Sequence, residues 1–455
     1  MALLAAHIND AGICILDSNK VLYREPGFAL LDDDRLTTGS EAFSQARVKP
    51  RRIQHGFWSN LQTAALADRH FHHLSAADLV SRQLEQIWKR VSSAGDGIVV
   101  AVPAYMSTDN LSLFLGITGE LKIPVIAMVD AAVAATRREY KGAVPVHVDL
   151  SLHSAVLTRL AQSGQAQFDR SAVVDESGMI TLYDAWIALI AESFVQQSRF
   201  DPLHTAETEQ MLQDNLQGWL AEASASKTIT LDIEYRGITH QAELEALELV
   251  ATAAPIYHRI VSKLRALYRA DEVPALQLSD RTARMPGLAD ILSARVGGDI
   301  YLQEPGATAR GLLSRCREMQ PGDSQVSRIR QLPWDQSAIE AKVTGNLRDG
   351  GQPTHLLFEN TAHAIDSQPL TLGSQSGDGE RYIDLQQDMP GVSRQHCSLQ
   401  QLNGQCIVRD FSRYGTFLNG HRIDGSAVLQ VGDLIRLGTP GYEFRLITTE
   451  TGSGS

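Results

Sequence analysis

The stretch from Gly391 to Gly420 constrains the fold more than any other part of this chain. It reads GVSRQHCSLQQLNGQCIVRDFSRYGTFLNG. A Ser-Arg-x-His element is followed by a strand, a turn and a second strand, and then by Gly-Thr-x-x-x-Asn-Gly. From about His355 the chain consists of short strands and turns without clear helices, a pattern that predicts a β-sandwich.

This spacing resembles the forkhead-associated (FHA) domain, whose loops read phosphothreonine in partner proteins. The resemblance covers about His355–Ile447: Thr371–Leu385 fits the opening strand and first recognition loop, and Val431–Gly438 fits a late strand. It implies an all-β sandwich and a protein partner, hence recognition and not chemistry. Binding a dianionic phosphate requires a guanidinium, hydroxyl donors and a loop amide, which together form charge-assisted hydrogen bonds.

The resemblance also implies individual roles for the loop residues. Ser393 would donate a hydrogen bond to the phosphate, and Arg394 would flank it. Asn419 with Gly420 would close the hairpin. Three residues would hold the loops in shape, namely His396, Gly415 and Thr416.

Three positions depart from the family pattern. Gly373 is followed by Ser374 where the family usually has an arginine, and Arg413 and Tyr414 replace a small hydroxyl residue and an asparagine. We hypothesise that Arg413 and Arg394 together restore an anion site; the alternative is a sandwich that binds an unphosphorylated protein surface. The predicted peptide-binding residues are Ser374, Ser393, Arg394, Arg413, Tyr414 and Asn419.

The rest of the chain alternates strands with helices, which predicts an α/β sheet. Ile98–Pro103 and Ile123–Val129 are β-branched, apolar runs typical of buried strands, separated by a predicted helix at about Asn110–Leu121. No internal repeat is recognisable. Further helices are predicted at Asp130–Tyr140, Asp184–Gln197, Thr205–Ala223, His240–Leu267 and Gly287–Val296, and further strands within Val144–Leu160 and at Thr228–Tyr235.

Val99–Asn110, VVAVPAYMSTDN, resembles the Val-Pro-Ala-Tyr segment of the heat-shock-chaperone branch of the actin-like ATPase superfamily. The resemblance covers about residues 1–320 and implies a two-lobed α/β actin-like ATPase fold of the chaperone type. Other segments follow in the order of that family: an interdomain helix, a second phosphate loop, an adenosine loop and the helix after it. These are Val129–Ala135, Val146–Leu160, Ala275–Leu288 and Glu304–Leu313.

Nucleotide binding in that family depends on glycine-rich hairpins, because only glycine allows backbone N–H groups to come so close to phosphates. An aspartate in each hairpin holds the magnesium shell. By resemblance, the first hairpin here keeps Asp10 and Gly12, the second keeps Asp149, and Ser279 stands at the adenosine position. These four residues are the predicted nucleotide-binding set.

Most of the phosphate-binding glycines are replaced. Side chains at Leu152 and His153 would crowd a phosphate, and Asp280 would add negative charge. Two interpretations remain open: an ATPase fold retained as a scaffold without a cofactor, or an altered site that binds ATP with magnesium. The family's substrate-binding β-domain is not recognisable after Leu313, so a peptide-refolding cycle is not expected.

Bulk properties narrow the classes of partner. A net charge of −12 and a pI near 5.6 disfavour nucleic acid and anionic membranes, which require a basic footprint. The four cysteines form no Cys-x-x-Cys pair and have no histidine cluster at zinc spacing, so no metal site is expected. No signal peptide or membrane-length apolar run is recognised, which favours a cytoplasmic protein.

The sequence therefore predicts a nucleotide-binding-fold domain over residues 1–320, a linker over 321–352, an FHA domain over 353–448 and a disordered tail over 449–455. The linker is given one short helix near Gln336–Val343. The predicted function is a bacterial, cytoplasmic regulatory or scaffolding adaptor, a pseudo-ATPase without catalytic residues. The alternative is an active ATPase whose nucleotide state controls FHA-mediated assembly.

Overall fold

The computed structural model divides the chain into two compact units, residues 1–335 and 336–455. The residues that the structure describes are 2–18, 20–32, 35–68, 70–224, 226–269, 271–296, 298–319, 326, 328–335, 341–343, 352–358, 361–374, 381–385, 391–402, 404–418, 421–431, 433–437 and 442–447.

The first unit mixes strands and helices. Its strands are β1 (Leu3–His7), β2 (Ile13–Leu16), β3 (Val21–Glu25), β4 (Ala29–Asp32), β5 (Arg35–Thr38), β6 (Ile53–Gln54), β7 (Gly97–Val102), β8 (Val125–Asp130), β9 (Val144–Leu150), β10 (Ser154–Gln162), β11 (Gln165–Asp175), β12 (Thr228–Tyr235), β13 (Ile238–Glu245), β14 (Pro274–Leu278), β15 (Asp299–Leu302), β16 (Arg328–Ile329) and β17 (Gln331–Pro333). Its helices are α1 (Ser40–Phe43), α2 (Ala76–Val91), α3 (Thr108–Glu120), α4 (Ala131–Ala135), α5 (Met179–Ser198), α6 (Ala206–Ala223), α7 (Ala246–Arg265), α8 (Asp280–Ala283), α9 (Leu288–Val296) and α10 (Ala307–Ser314), with 3-10 turns at Pro50–Arg52, Ser92–Ala94 and Cys316–Met319.

Two sheets of this unit have the same strand order. In the first, β1 pairs antiparallel with β2 and β2 with β3, while β1 pairs parallel with β7 and β7 with β8. In the second, β9, β10, β11, β14 and β15 take these same five places with the same directions. The short strands β16 and β17 extend the two sheets beside β8 and β11. The unit thus contains a structural repeat that the sequence does not reveal.

The two halves of the repeat approach each other at α4 and α10. A Cβ at Gly311 of α10 would lie 2.1 Å from the carbonyl oxygen of Ala134 in α4, so only glycine allows this approach. The buried Arg315 side chain donates hydrogen bonds to the carbonyl oxygens of Gly311 and Thr136. These contacts join α4 to α10 and so connect the two halves of the repeat.

Most of the predicted elements occur near their predicted positions, but three predictions were wrong. The helix predicted at His240–Leu267 starts only at Ala246, because β13 alternates buried Ala242 and Leu244 with exposed neighbours and pairs with β12. The alanine-rich helix from Asp130 ends at Ala135. In the segment predicted as a short linker helix, Ala341–Val343 form a strand instead. Residues 336–340 of that segment lie outside the described residues.

The second unit is built from strands, and its described residues contain no helix. These strands are β18 (Ala341–Val343), β19 (His355–Phe358), β20 (Thr361–Ala364), β21 (Leu370–Gly373), β22 (Arg381–Asp384), β23 (Cys397–Leu402), β24 (Gln405–Asp410), β25 (Thr416–Leu418), β26 (His421–Arg422), β27 (Ser426–Leu429), β28 (Leu434–Leu437) and β29 (Tyr442–Ile447).

Two sheets of this unit share one core. Their strand orders are β20-β19-β29-β28-β25-β26 and β22-β21-β23-β24-β27. Leu372 and Leu399 from one sheet and Leu356 and Phe444 from the other belong to a single buried cluster. The predicted all-β architecture of the C-terminal region is confirmed. Across the described part of the whole chain, no helix combines the length and apolar character needed to cross a membrane.

Candidate functional site

The loops at one end of the β-sandwich converge because β21, β23 and β24 are antiparallel neighbours. Cys397 at the start of β23 pairs with Asp410 at the end of β24 and with Leu372 near the end of β21. The segments after β21, before β23 and after β24 are therefore adjacent, and they contain five of the six predicted peptide-binding residues.

His396 is fully buried between two of these loops. Its Nδ1 accepts a hydrogen bond from the Ser393 backbone N–H at 3.1 Å, and its Nε2 lies 3.2 Å from the Gly415 carbonyl oxygen. Burial lowers the pKa of His396, which favours the neutral ring with one donor and one acceptor. Because Nδ1 accepts, Nε2 carries the hydrogen and donates to Gly415, so His396 connects the two loops.

A second network shapes the loop between β24 and β25. Asp410 Oδ1 accepts hydrogen bonds from the Ser412 backbone N–H at 3.0 Å and from Thr416 Oγ1 at 2.8 Å. Ser412 Oγ accepts one from the Gly415 backbone N–H at 2.7 Å. Gly415 has a φ of 96°, a conformation that favours glycine. The loop is therefore held in one shape by its own side chains.

Ser393 links the loop before β23 to the loop after β24. Its Oγ accepts a hydrogen bond from the Arg413 backbone N–H at 3.2 Å, which leaves the hydroxyl hydrogen able to donate to a ligand. The side chains of Arg394 and Arg413 are both exposed. A hydroxyl donor and two guanidinium-bearing residues thus meet on adjoining loops.

The remaining predicted residues surround this point. The Ser374 backbone N–H donates to the Ser393 carbonyl oxygen at 3.2 Å. Tyr414 is 60% exposed, and its ring centroid lies 5.8 Å from Arg413 Cζ. The structure places five of the six predicted residues on neighbouring loops; Asn419 lies outside the described residues.

Two supporting residues were missed by sequence reasoning. A Cβ at Gly373 would lie 1.9 Å from the Arg394 carbonyl oxygen, so the strand end approaches this loop as closely as only glycine permits. The Tyr382 hydroxyl donates a hydrogen bond to the same oxygen. A glycine within a strand indicates close backbone approach, so the role of Gly373 could have been predicted from the sequence. No local sequence pattern predicts the role of Tyr382.

The second group of predicted residues lies where the repeated sheets meet, at the turns after β1 and β9. Asn9 Nδ2 donates to Asp149 Oδ2 at 2.7 Å and to the Leu150 carbonyl oxygen at 3.1 Å. Asp10 Oδ1 accepts from the Leu152 backbone N–H at 2.8 Å. The structure therefore brings Asp10 and Asp149 into one buried cluster whose two turns are hydrogen-bonded directly.

The Asp149 carboxylate is buried and well supplied with donors. Ser279 Oγ donates to its Oδ1 at 2.5 Å, and the Leu150 backbone N–H donates to the same oxygen at 3.0 Å. Burial alone would raise the pKa of Asp149, but the charge of Arg281, the neighbouring histidine rings and the Ser279 hydroxyl outweigh it, so the pKa lies below its usual range. In contrast, burial raises the pKa of Asp10. Asp149 is thus the stronger acid of the pair.

Arg281 reaches into this cluster from α8. Its Nε lies 3.6 Å from Asp149 Oδ1, and its two terminal nitrogens donate to the carbonyl oxygens of Gly12 at 3.3 Å and Leu150 at 3.4 Å. One guanidinium therefore contacts both turns and balances the Asp149 charge. Three predicted residues lie around Arg281, namely Gly12, Asp149 and Ser279. The sequence prediction did not include Arg281, although it directly follows Ser279-Asp280 in the chain.

A cavity of about 880 Å³ opens beside Arg281 within the first unit. Phe28 and Tyr183 line it from the two halves of the repeat. On its wall, His55 Nδ1 lies 3.1 Å from His153 Nε2, and burial together with His153 lowers the pKa of His55 to about 4. Among the described residues, no group of three or more histidine, cysteine, aspartate or glutamate side chains is arranged to hold a metal ion.

Comparisons with known proteins bear on the second unit. A family model of the FHA domain matches residues 370–438. The chain thus contains an FHA domain, and the match includes the loops with Ser374, Ser393, Arg394, Arg413 and Tyr414. Comparison with curated proteins gives no match.

Proposed function

We propose that this protein is a cytoplasmic adaptor whose FHA domain binds a phosphothreonine-containing partner protein and whose first unit serves as a scaffold without nucleotide chemistry. One observation carries the first part of the proposal. The hydrogen bond from the Arg413 backbone to Ser393 Oγ sets a hydroxyl donor between two arginine-bearing positions at the end of the sandwich.

These groups suit a phosphate dianion. A phosphothreonine carries a charge of about −1.5 to −2 and three acceptor oxygens, and guanidinium donors bind such oxygens with charge-assisted hydrogen bonds. Arg394 and Arg413 can supply the charge, and Ser393 can supply a hydroxyl donor. The arginine that the family usually has after Gly373 is replaced by Ser374, so the charge would come from the loop after β24 instead.

The repeated strand order of the first unit supports its resemblance to actin-like ATPases. The three antiparallel strands and two parallel strands occur twice, and the predicted nucleotide residues lie at the turns that face each other. In the two-lobed fold of that family, turns arranged in this way would surround a nucleotide.

The residues present do not fit a magnesium nucleotide. Both oxygens of Asp149 already accept hydrogen bonds from Asn9 or Ser279, and the Arg281 guanidinium adds a positive charge where a cation would need two carboxylates. Asp10 Oδ1 already accepts a hydrogen bond from the Leu152 backbone N–H, and burial raises the pKa of this carboxyl. These contacts support the scaffold interpretation over the active ATPase.

The proposal is tested by capture on immobilised peptide pools, one of phosphothreonine peptides and one of matched threonine peptides, with the full-length protein. We expect retention on the phosphorylated pool and loss of retention in the Arg394→Ala/Arg413→Ala double variant. The control is Arg51→Ala/Arg295→Ala, which removes the same charge at exposed positions of the first unit. Equal retention on both pools would overturn the phosphate-dependent part.

A further inference from the structure

The cavity of the first unit has a size and a wall that suit a small molecule. Its volume of about 880 Å³ lies within the range of sites that bind drug-sized ligands. Phe28 and Ile53 from one half of the repeat and Leu152 from the other belong to a single buried apolar cluster on this wall. Ile180 packs against that cluster. The cavity thus has an apolar surface to which both halves of the repeat contribute.

Three rings lie together in the lining. The Phe28 ring contacts the Phe43 ring edge to face, with 5.0 Å between the centroids, and its centroid lies 5.3 Å from that of the His55 ring. Burial and the neighbouring His153 lower the pKa of His55 to about 4, so this ring is uncharged at neutral pH. Aromatic rings pack favourably against one another, so this part of the cavity suits an aromatic ligand.

The described lining also contains four arginines, and each of them already has an acidic partner. Arg24 and Arg284 both pair with Asp280. Arg281 lies beside Asp149, as described above. An anionic ligand would have to displace one of these carboxylates or leave water without a compensating charge, and both are costly.

The fourth arginine, Arg47, joins the two walls of the cavity. Its guanidinium pairs with Asp184 of α5 and Glu209 of α6, and its Nε donates a hydrogen bond to Gln213 Oε1 at 2.7 Å. Arg47 itself follows α1, in the other half of the repeat. The walls are therefore held together by contacts of the protein alone, which lowers the entropy cost of binding a ligand between them.

The acidic side chains of the described lining are mostly paired as well. Three of them have the arginine partners given above, namely Asp184, Glu209 and Asp280. Glu25 pairs with Arg90, and Asp214 is exposed to solvent on α6. A cationic ligand would therefore compete with an arginine at most of these positions, so the wall favours a ligand without charge.

We propose that this cavity binds an uncharged aromatic molecule, so that the first unit is a ligand-binding domain as well as a scaffold. The inference goes beyond the proposed adaptor function, because it does not depend on phosphopeptide binding by the FHA domain. It also differs from nucleotide binding, since the apolar wall and the paired arginines favour a ligand without phosphate.

The test compares two fluorescent probes that differ only in a sulfonate group, the uncharged 1-anilinonaphthalene and 1-anilinonaphthalene-8-sulfonate. Titrated into the full-length protein, the uncharged probe should bind as one molecule per chain, and the sulfonate at least about tenfold more weakly. In Ala46→Trp the added ring takes up space in the cavity, and binding of the uncharged probe should fall about tenfold or more. The control Ala294→Trp makes the same change at an exposed position outside the lining and should bind like the wild type.

Three outcomes would overturn the inference. Equal or tighter binding of the sulfonate would exclude an uncharged ligand as the preferred class. Unchanged binding of the uncharged probe in Ala46→Trp would place that probe outside the cavity, and absence of binding to the wild type would exclude the site. If Ala46→Trp has a lowered thermal midpoint, Ala221→Trp, at an exposed position of the lining, gives the same decision. Capture on phosphothreonine peptides should be the same for these variants and the wild type, so failure of the adaptor proposal is recognised separately.

Discussion

Arg281 and Asp149 lie 3.6 Å apart, Nε to Oδ1, at the junction of the two repeated sheets. Asp149 ends the first strand of one sheet, and Arg281 also reaches the Gly12 carbonyl oxygen beside the first strand of the other. Both side chains are largely buried: 7% of the Asp149 side chain and 15% of the Arg281 side chain are exposed. The pair therefore joins the halves of the first unit at the place where the sequence resemblance would put a nucleotide.

Replacing Arg281 with methionine should destabilise the first unit. Removing one partner of a buried pair leaves a buried charge uncompensated, and we expect a loss of about 3 kcal/mol in the free energy of unfolding. Urea titration followed by tryptophan fluorescence measures this unit selectively, because all five tryptophans lie before residue 336. The control Arg284→Ala removes an exposed arginine from Asp280, which keeps Arg24 as a partner, and should cost less than about 1 kcal/mol. Equal losses would contradict the prediction.

ATP with magnesium should leave the thermal midpoint of the protein unchanged. The Arg281 guanidinium already compensates Asp149. By the resemblance to actin-like ATPases, the buried Leu152 would stand where that family has a glycine next to phosphate. A ligand at a hundredfold excess over its Kd would stabilise the fold by about 2.7 kcal/mol, an effect that differential scanning fluorimetry resolves. A shift of several degrees that requires both ATP and magnesium would instead support the active ATPase.

The loops that meet at one end of the β-sandwich could be located from sequence because their signals are local. Ser393, His396 and Gly415 follow a fixed spacing, and the hydrogen bonds that they make connect loops brought together by neighbouring antiparallel strands. The β13 error had a local origin too: the first residues of the predicted helix at His240 alternate with period two.

The contacts that decide the chemistry of the first unit could not be read in this way. Arg281 lies more than a hundred residues from Asp149 and almost the whole unit away from Gly12, and no spacing rule connects them. The repeat was invisible as well, because strand order depends on which backbone edges pair and not on which side chains recur. Tyr382 is a further example, since its role depends on a carbonyl of a different loop.

Acid should destabilise the first unit between pH 6.5 and pH 4 through His7. Burial lowers the pKa of His7 to about 4, against an ordinary value of 6.5, so the unfolded chain binds the proton first as pH falls. The contribution of His7 to the free energy of unfolding is fully present above pH 6.5. It decreases as the pH falls toward 4, by about 3 kcal/mol in total. Asp10 acts in the opposite direction, because its folded pKa is raised and protonation favours the folded state.

This contribution is isolated by comparing variants at pH 7 and pH 5. The difference in unfolding free energy between the two pH values should shrink in His7→Gln and stay unchanged in His204→Gln, a change at an exposed position. Urea titrations of the wild type and both variants measure it. A wild-type pH dependence retained in His7→Gln would exclude His7 as its source.

Replacing Gly373 with alanine should disrupt the recognition loops. The added Cβ would lie 1.9 Å from the Arg394 carbonyl oxygen and 2.5 Å from the Tyr382 hydroxyl, and a backbone atom cannot give way cheaply. We expect faster amide hydrogen exchange in residues 391–396 and at least about tenfold weaker phosphopeptide binding, a loss of 1.4 kcal/mol. The comparison is Gly404→Ala. Gly404 has a φ of 78°, but no atom lies within 4 Å of the position of the new Cβ. Equal effects on binding would contradict the predicted displacement of the loop at Arg394.

Ser393→Ala should weaken phosphopeptide binding more than Ser374→Ala. Ser393 Oγ is fixed by the Arg413 backbone N–H at 3.2 Å, so its hydrogen is directed by the loop geometry, whereas Ser374 contributes its backbone N–H to Ser393 and keeps that bond as alanine. Calorimetric titration should show a loss of about tenfold for Ser393→Ala, the range of a hydrogen bond to a charged group, and partial recovery in Ser393→Thr. If Ser374→Ala caused the larger loss, the phosphate would lie against the loop after β21, and Arg413 could not be its main positive partner.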